Sequence, residues 1–166
     1  MAHEQVLIVM GSASDLPVMQ EAKKTLDELN ISAQMRIASA HRTPDATDEL
    51  AKAARDRGTQ VIIAGAGYAA HLAGVIASKT TLPVIGVPLA SSDLVGVDSL
   101  LSTVQMPPGI PVATVGIGKA GAKNAAILAA QIIAVTDESV QKALEARRAE
   151  TRDSILQADK KLRETE

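Results

Sequence analysis

Val6-Leu7-Ile8-Val9-Met10 is apolar without a break, stops at Gly11, and is followed by Leu16, Met19, Ala22, Leu26 and Leu29 at helical spacing. The same alternation returns along the chain. Met35 to Ala38 reads as a second strand, after which Thr43 is placed to cap a helix that opens with Pro44 and closes at Gly58. Val61 to Ala64 is a third strand, running through Gly65-Ala66-Gly67-Tyr68-Ala69-Ala70 into a helix that extends to about Lys79. Val84 to Val87 and Val112 to Val115 are the fourth and fifth. The last leads through Gly116-Ile117-Gly118-Lys119-Ala120-Gly121 into an Ala-rich helix from about Lys123 to Val135. Strands that are apolar throughout must be covered on both faces, and alternation with helices makes the sheet parallel. The fold class is therefore α/β: a three-layer αβα sandwich with a central parallel sheet, flavodoxin-like or Rossmann-like, plus a long C-terminal helix.

With 166 residues, no internal repeat and no low-complexity linker, residues 1–166 read as a single α/β domain. The aromatic content is one Tyr, with neither Phe nor Trp, so the core is built from small and branched side chains. Residues 138–164 form the C-terminal helix. It is heavily charged, and Val140, Leu144, Ile155 and Leu162 make only a thin apolar stripe, which needs its own domain or a neighbouring subunit to lie against.

A formal charge of −2 provides no broad basic field, which argues against nucleic acid and anionic membranes as partners. Any phosphate has to be held locally. The absence of Cys excludes thiol catalysis and thiolate metal sites. His3, His41 and His71 are scattered, so no metal is expected, and His3 reads as terminal and idle. The longest apolar stretches are too short or too broken by Gly to span a bilayer, and Met1-Ala2-His3-Glu4 lacks the features of a signal peptide. The expected location is cytoplasmic.

In open parallel sheets, ligands bind beyond the carboxyl ends of the strands, so chemistry belongs in the loops after the first three strands. The first, Gly11-Ser12-Ala13-Ser14-Asp15, sets a glycine turn, two hydroxyls and a carboxylate at a helix start that favours an anion. Ser14 or Asp15 would equally serve as a plain helix cap. The second, Ser39-Ala40-His41-Arg42-Thr43-Pro44, places the side chain best suited to proton transfer near neutrality beside the best fork for a phosphate or carboxylate. The third loop fits G-x-G-x-x-A through Gly65, Gly67 and Ala70, but the acidic residue that should bind a ribose some twenty positions on is missing from Gly86-Val87-Pro88-Leu89-Ala90. Its glycines read instead as allowing close approach to a smaller ligand. His71 next to it is either a donor to nearby backbone or a ligand contact. Gly118-Lys119 is not a Walker motif, since Ala120 replaces the needed hydroxyl.

Taken together, Met10 to Asp15, Ser39 to Pro44, Gly65 to Leu72 and Val104-Gln105-Met106-Pro107-Pro108-Gly109-Ile110-Pro111 resemble the PurE family of purine biosynthesis, the N5-carboxyaminoimidazole ribonucleotide mutases of the class I type. The four motifs occur in family order, and the resemblance runs from Val6 to about Val135. It implies transfer of a carboxylate from an exocyclic nitrogen to a ring carbon of a small ribonucleotide, through CO2, without metal or organic cofactor. Carried over by position, it implies that Ser12, Asp15 and Arg42 hold the phosphoribosyl part and that His41 is the general acid and base. Ser39 would set the geometry of His41, and the Gly67 to Leu72 loop, with Ala70 and His71, would cover the reacting groups. A homo-octamer is also implied. Arg42 and Ala69-Ala70-His71-Leu72 favour the mutase over the family's carboxylase branch, which uses the uncarboxylated ribonucleotide and CO2. Tyr68 stands where the family usually has a small residue, and Ala73 where proline is common; a positive φ at position 68 would strain Tyr. The readings of a different class are a non-enzymatic nucleotide or flavin-binding module and an assembly scaffold.

Overall fold

The computed structural model describes residues 4–165, and His3 lies outside them. Five strands, β1 (Val6–Met10), β2 (Ala33–Ile37), β3 (Val61–Ala66), β4 (Val84–Pro88) and β5 (Ala113–Thr114), form one parallel sheet in the order β2-β1-β3-β4-β5. The helices are α1 (Leu16–Glu28), α2 (Pro44–Ala53), α3 (Leu72–Ala77), α4 (Val97–Val104), α5 (Gly118–Ile133) and α6 (Glu138–Thr165). None of the described helices is long and apolar enough to cross a membrane.

The two-residue period of β1 explains the layers. Val6, Ile8 and Met10 join one core with Met19, Ala22 and Leu26 of α1 and the alanines of α5, while Leu7 and Val9 join a second with Leu50 and Ala51 of α2 and Leu72, Ala73 and Ile76 of α3. Burying each large aliphatic side chain in these layers contributes about 1.5–3 kcal/mol. Ala122, Ala125, Ala126, Ala129 and Ala130 are wholly inaccessible, and these small side chains let α5 lie close on α1. Gly86 plays the same part for α4, because a Cβ there would overlap Thr103 Cγ2.

Several boundaries differ from the sequence reading. Strand β2 starts two residues earlier than expected, β5 keeps only two residues, and α3 stops at Ala77. Helix α5 begins at Gly118, five residues early, and α4 was not anticipated at all. Thr43 occupies the N-cap position of α2 without capping it: its hydroxyl turns back to accept from the Ser39 N–H at 2.8 Å and donate to the Ser39 carbonyl at 3.2 Å. In α6, Val140 is buried and Leu144 packs on the core, and Arg147 reaches Glu28 of α1 at 2.8 Å. Residues 150–165, including Ile155 and Leu162 of the expected stripe, are exposed.

Candidate functional site

The register pairs Met10 with both Ile37 and Gly65, so β1, β2 and β3 end level and their loops converge. The chain leaves β1 for one side of the sheet and returns on the other, which opens a crevice at the β1/β3 switch point. There lies a pocket of about 400 Å³ lined by Ser12, Asp15, Ser39, His41, Arg42, Gly67, Tyr68, His71, Leu72 and Ser91, among others.

In the first loop, Ser12 Oγ accepts from the Ser14 N–H at 3.3 Å and the Ser14 hydroxyl at 2.9 Å, closing a 3₁₀ turn over Ala13–Asp15. Asp15 stands at the N-cap position of α1 but makes no side-chain capping bond there, so the plain capping role is not the one it plays. Only 7% of it is exposed. Burial raises the Asp15 carboxyl above its ordinary value of 3.8, with a Ser12 backbone hydrogen bond and the Arg42 charge pulling the other way.

A carboxyl raised in this way favours folding while it is protonated. That contribution is complete below the unfolded value and is lost as pH rises through the folded one. Asp15→Asn, which has no ionised form to desolvate, is therefore expected to melt above wild type at pH 7, with the difference closing as pH falls toward 3. Thermal scans at the two pH values check this, and identical melting at pH 7 would refute it.

The second loop is tied to itself. Ser39 Oγ accepts from the Arg42 backbone N–H at 3.2 Å and from Arg42 Nε at 3.4 Å, while Arg42 Nη2 donates to the Gly11 carbonyl at 2.7 Å. Ser39 thus holds Arg42 directly, and His41 only through the shared turn. Arg42 in turn fastens the second loop to the first, with its guanidinium still at the pocket wall.

In the third loop, Tyr68 adopts φ 54° and is 63% exposed at the pocket. This is the strained conformation that the sequence flagged for a side chain larger than Gly, and it costs roughly 1–2 kcal/mol. Gly67 carries no side chain because Ser91, from the loop after β4, fills that space. Ala70 is the one expected site residue outside the pocket lining: it is buried, and its N–H donates to Ser102 Oγ of α4 at 2.9 Å. Ala73 packs toward the open position of Gly86. His71 lines the pocket. Its Nδ1 lies 2.8 Å from His41 Nε2, with the rings edge-on at 84° and centroids 5.0 Å apart.

Sequence reasoning missed Ser91 and Ser102. The serine pair after β4 carried a signal in its position at a fourth strand end, whereas Ser102 lies on the unforeseen α4. A family model described as AIR carboxylase matches residues 5–154. The chain belongs to this family. Among its relatives, a protein of Bacillus subtilis (strain 168) named N5-carboxyaminoimidazole ribonucleotide mutase is 56% identical over 155 residues, covering 93% of this chain and 96% of the relative. One of the same name from Escherichia coli (strain K12) is 54% identical over 153 residues, covering 92% and 90%. The crystal structure of Treponema denticola PurE superposes with a TM-score of 0.86 at 30% identity, over 95% of this chain and 97% of that one. The AIR carboxylase family and this chain thus share one fold over nearly the whole chain.

Proposed function

We propose that this chain converts N5-carboxyaminoimidazole ribonucleotide into 4-carboxy-5-aminoimidazole ribonucleotide. The observation that carries the reading is the His41 imidazole in one pocket with the Arg42 guanidinium and the Ser12 and Asp15 loop, in a chain more than half identical to proteins named for that activity. Arg42 supplies a charge-assisted contact for the phosphate, and the start of α1 adds its exposed N–H groups. Ser12 and Asp15 take the ribose side of the ligand, Ser39 keeps Arg42 aimed, and Gly67, His71 and Leu72 close over the imidazole.

As the bond from the exocyclic nitrogen to the carboxylate breaks, its electrons stay on nitrogen, CO2 forms, and His41 gives nitrogen a proton. C4 then attacks the CO2, and His41 takes the C4 proton, so protons balance over the cycle. The pocket keeps CO2 beside C4, which saves the cost of recapturing it from solution. Ala70 acts from behind the loop by holding its backbone.

The purified protein is expected to turn over N5-carboxyaminoimidazole ribonucleotide. Turnover only of the uncarboxylated ribonucleotide with CO2 would assign it to carboxylation instead.

The same reading makes residues 1–166 one domain of a cytoplasmic homo-octamer, with residues 138–164 packing on neighbouring copies. Support comes from the exposed end of α6 and from Val97, Leu101 and Val104, which form an exposed apolar stripe on α4.

A further inference from the structure

Resting on the mutase reading, we infer that Tyr68 is a specificity-determining residue whose ring stacks on the aminoimidazole of the ribonucleotide, and so tells a base-bearing sugar phosphate from a bare one. Tyr68 lines the pocket at φ 54° and stays 63% exposed. A side chain at positive φ is held against its own backbone preference, and such strain persists where something else compensates for it. The usual compensations are missing inside the chain. Tyr68 belongs to neither core. Among the described residues its hydroxyl makes no hydrogen bond and its ring no aromatic contact. What remains to favour a tyrosine here is a ligand in the pocket.

The loop is fastened on both sides of that ring. Before it, the Ala66 carbonyl accepts from the Leu89 N–H at 2.9 Å and Ser91 fills the space beside Gly67; after it, the Ala70 N–H donates to Ser102 Oγ at 2.9 Å. Apart from Tyr68 and the two histidines, the pocket is lined by Gly, Ala, Ser, Asp, Arg and Leu. The histidine rings stand edge-on to each other, and the flat guanidinium of Arg42 is pinned to Gly11 and Ser39. Tyr68 is therefore the free flat face at the pocket. A heteroaromatic ring laid on it gains contact and sheds water from both surfaces, whatever its exact substituents. The phosphate and ribose are assigned to Arg42, Ser12 and Asp15, so the contribution of Tyr68 is confined to the ring.

The test compares two ligands that differ by the ring. Calorimetry measures the binding of 4-carboxy-5-aminoimidazole ribonucleotide, and displacement of that product measures ribose 5-phosphate. Tyr68→Gly and Tyr68→Leu are each expected to weaken the product about tenfold while ribose 5-phosphate stays within about twofold of wild type. Tyr68→Phe, which keeps the face and drops the hydroxyl, is expected to restore product affinity. Gly takes a positive φ without strain, so Tyr68→Gly is expected to melt no lower than wild type, which separates lost binding from lost fold. Four results would overturn the inference: product affinity unchanged in Tyr68→Gly; equal loss of both ligands or a marked fall in melting, which would make Tyr68 a support of the loop; wild-type affinity in Tyr68→Leu, which would make it a plain apolar cover; or a changed particle size by light scattering, which would place the ring between copies of the chain. Failure of the wild-type protein to bind the product at all would instead remove the mutase reading, and the inference with it.

Discussion

His41→Asn is expected to lower kcat by about 10²–10⁴-fold, the usual contribution of a positioned acid or base, while leaving substrate affinity within a few-fold of wild type. An amide keeps the polarity and much of the shape of the imidazole but cannot exchange a proton at neutral pH. The proposed anchoring groups lie elsewhere: Arg42 is held by Ser39 and Gly11, and Ser12 by its own turn. Neither depends on the His41 ring, so the ground-state complex survives and the barrier rises. Steady-state kinetics beside calorimetric binding of substrate makes the comparison. A variant that turns over nearly as fast as wild type would remove His41 from the chemistry. One that fails to bind would make it an anchor.

The largest effect on folding is expected at Gly121, in the first turns of α5. A Cβ placed there would overlap the Gly116 carbonyl oxygen and lie 2.5 Å from its carbon, so backbone meets backbone and no rotamer change relieves it. Gly121→Ala is expected to cost on the order of 3–5 kcal/mol, like other severe packing conflicts. At about 2–4 °C per kcal/mol, melting falls by roughly 6–20 °C. Gly116→Ala is the control, since a Cβ at that position meets nothing within 4 Å and is expected to melt near wild type. Equal melting of the two variants would show that the loop shifts at little cost. The pair also explains a motif that the sequence could only reject. Gly121 serves close backbone packing, and Gly118 allows a φ of 73°.

The parallel sheet was legible because β1, β3 and β4 are buried on both faces and so read as unbroken apolar runs. The edge strands were harder to bound: β2 is only half covered, and β5 has two residues between Pro111 and Gly116. Helix α4 escaped because it is eight residues long and preceded by Gly96 at φ 90°, with no side-chain cap to announce it. With α4 went Ser102, and hence the bond that steadies Ala70. His41 and Arg42 were legible from their place between a strand and a Pro-initiated helix. The contact of His41 with His71 was not, because it depends on β2 and β3 ending level on either side of β1, a relation of register that no local pattern carries.

Tyr68 has one more consequence. It is the sole aromatic residue of the Phe, Tyr and Trp set in the chain, and it stands exposed at the pocket. With no tryptophan to drain its excited state, all near-ultraviolet emission of the protein comes from that single ring. The pocket thus carries its own optical reporter, and a ligand settling against Tyr68 can be followed by intrinsic fluorescence with no label attached.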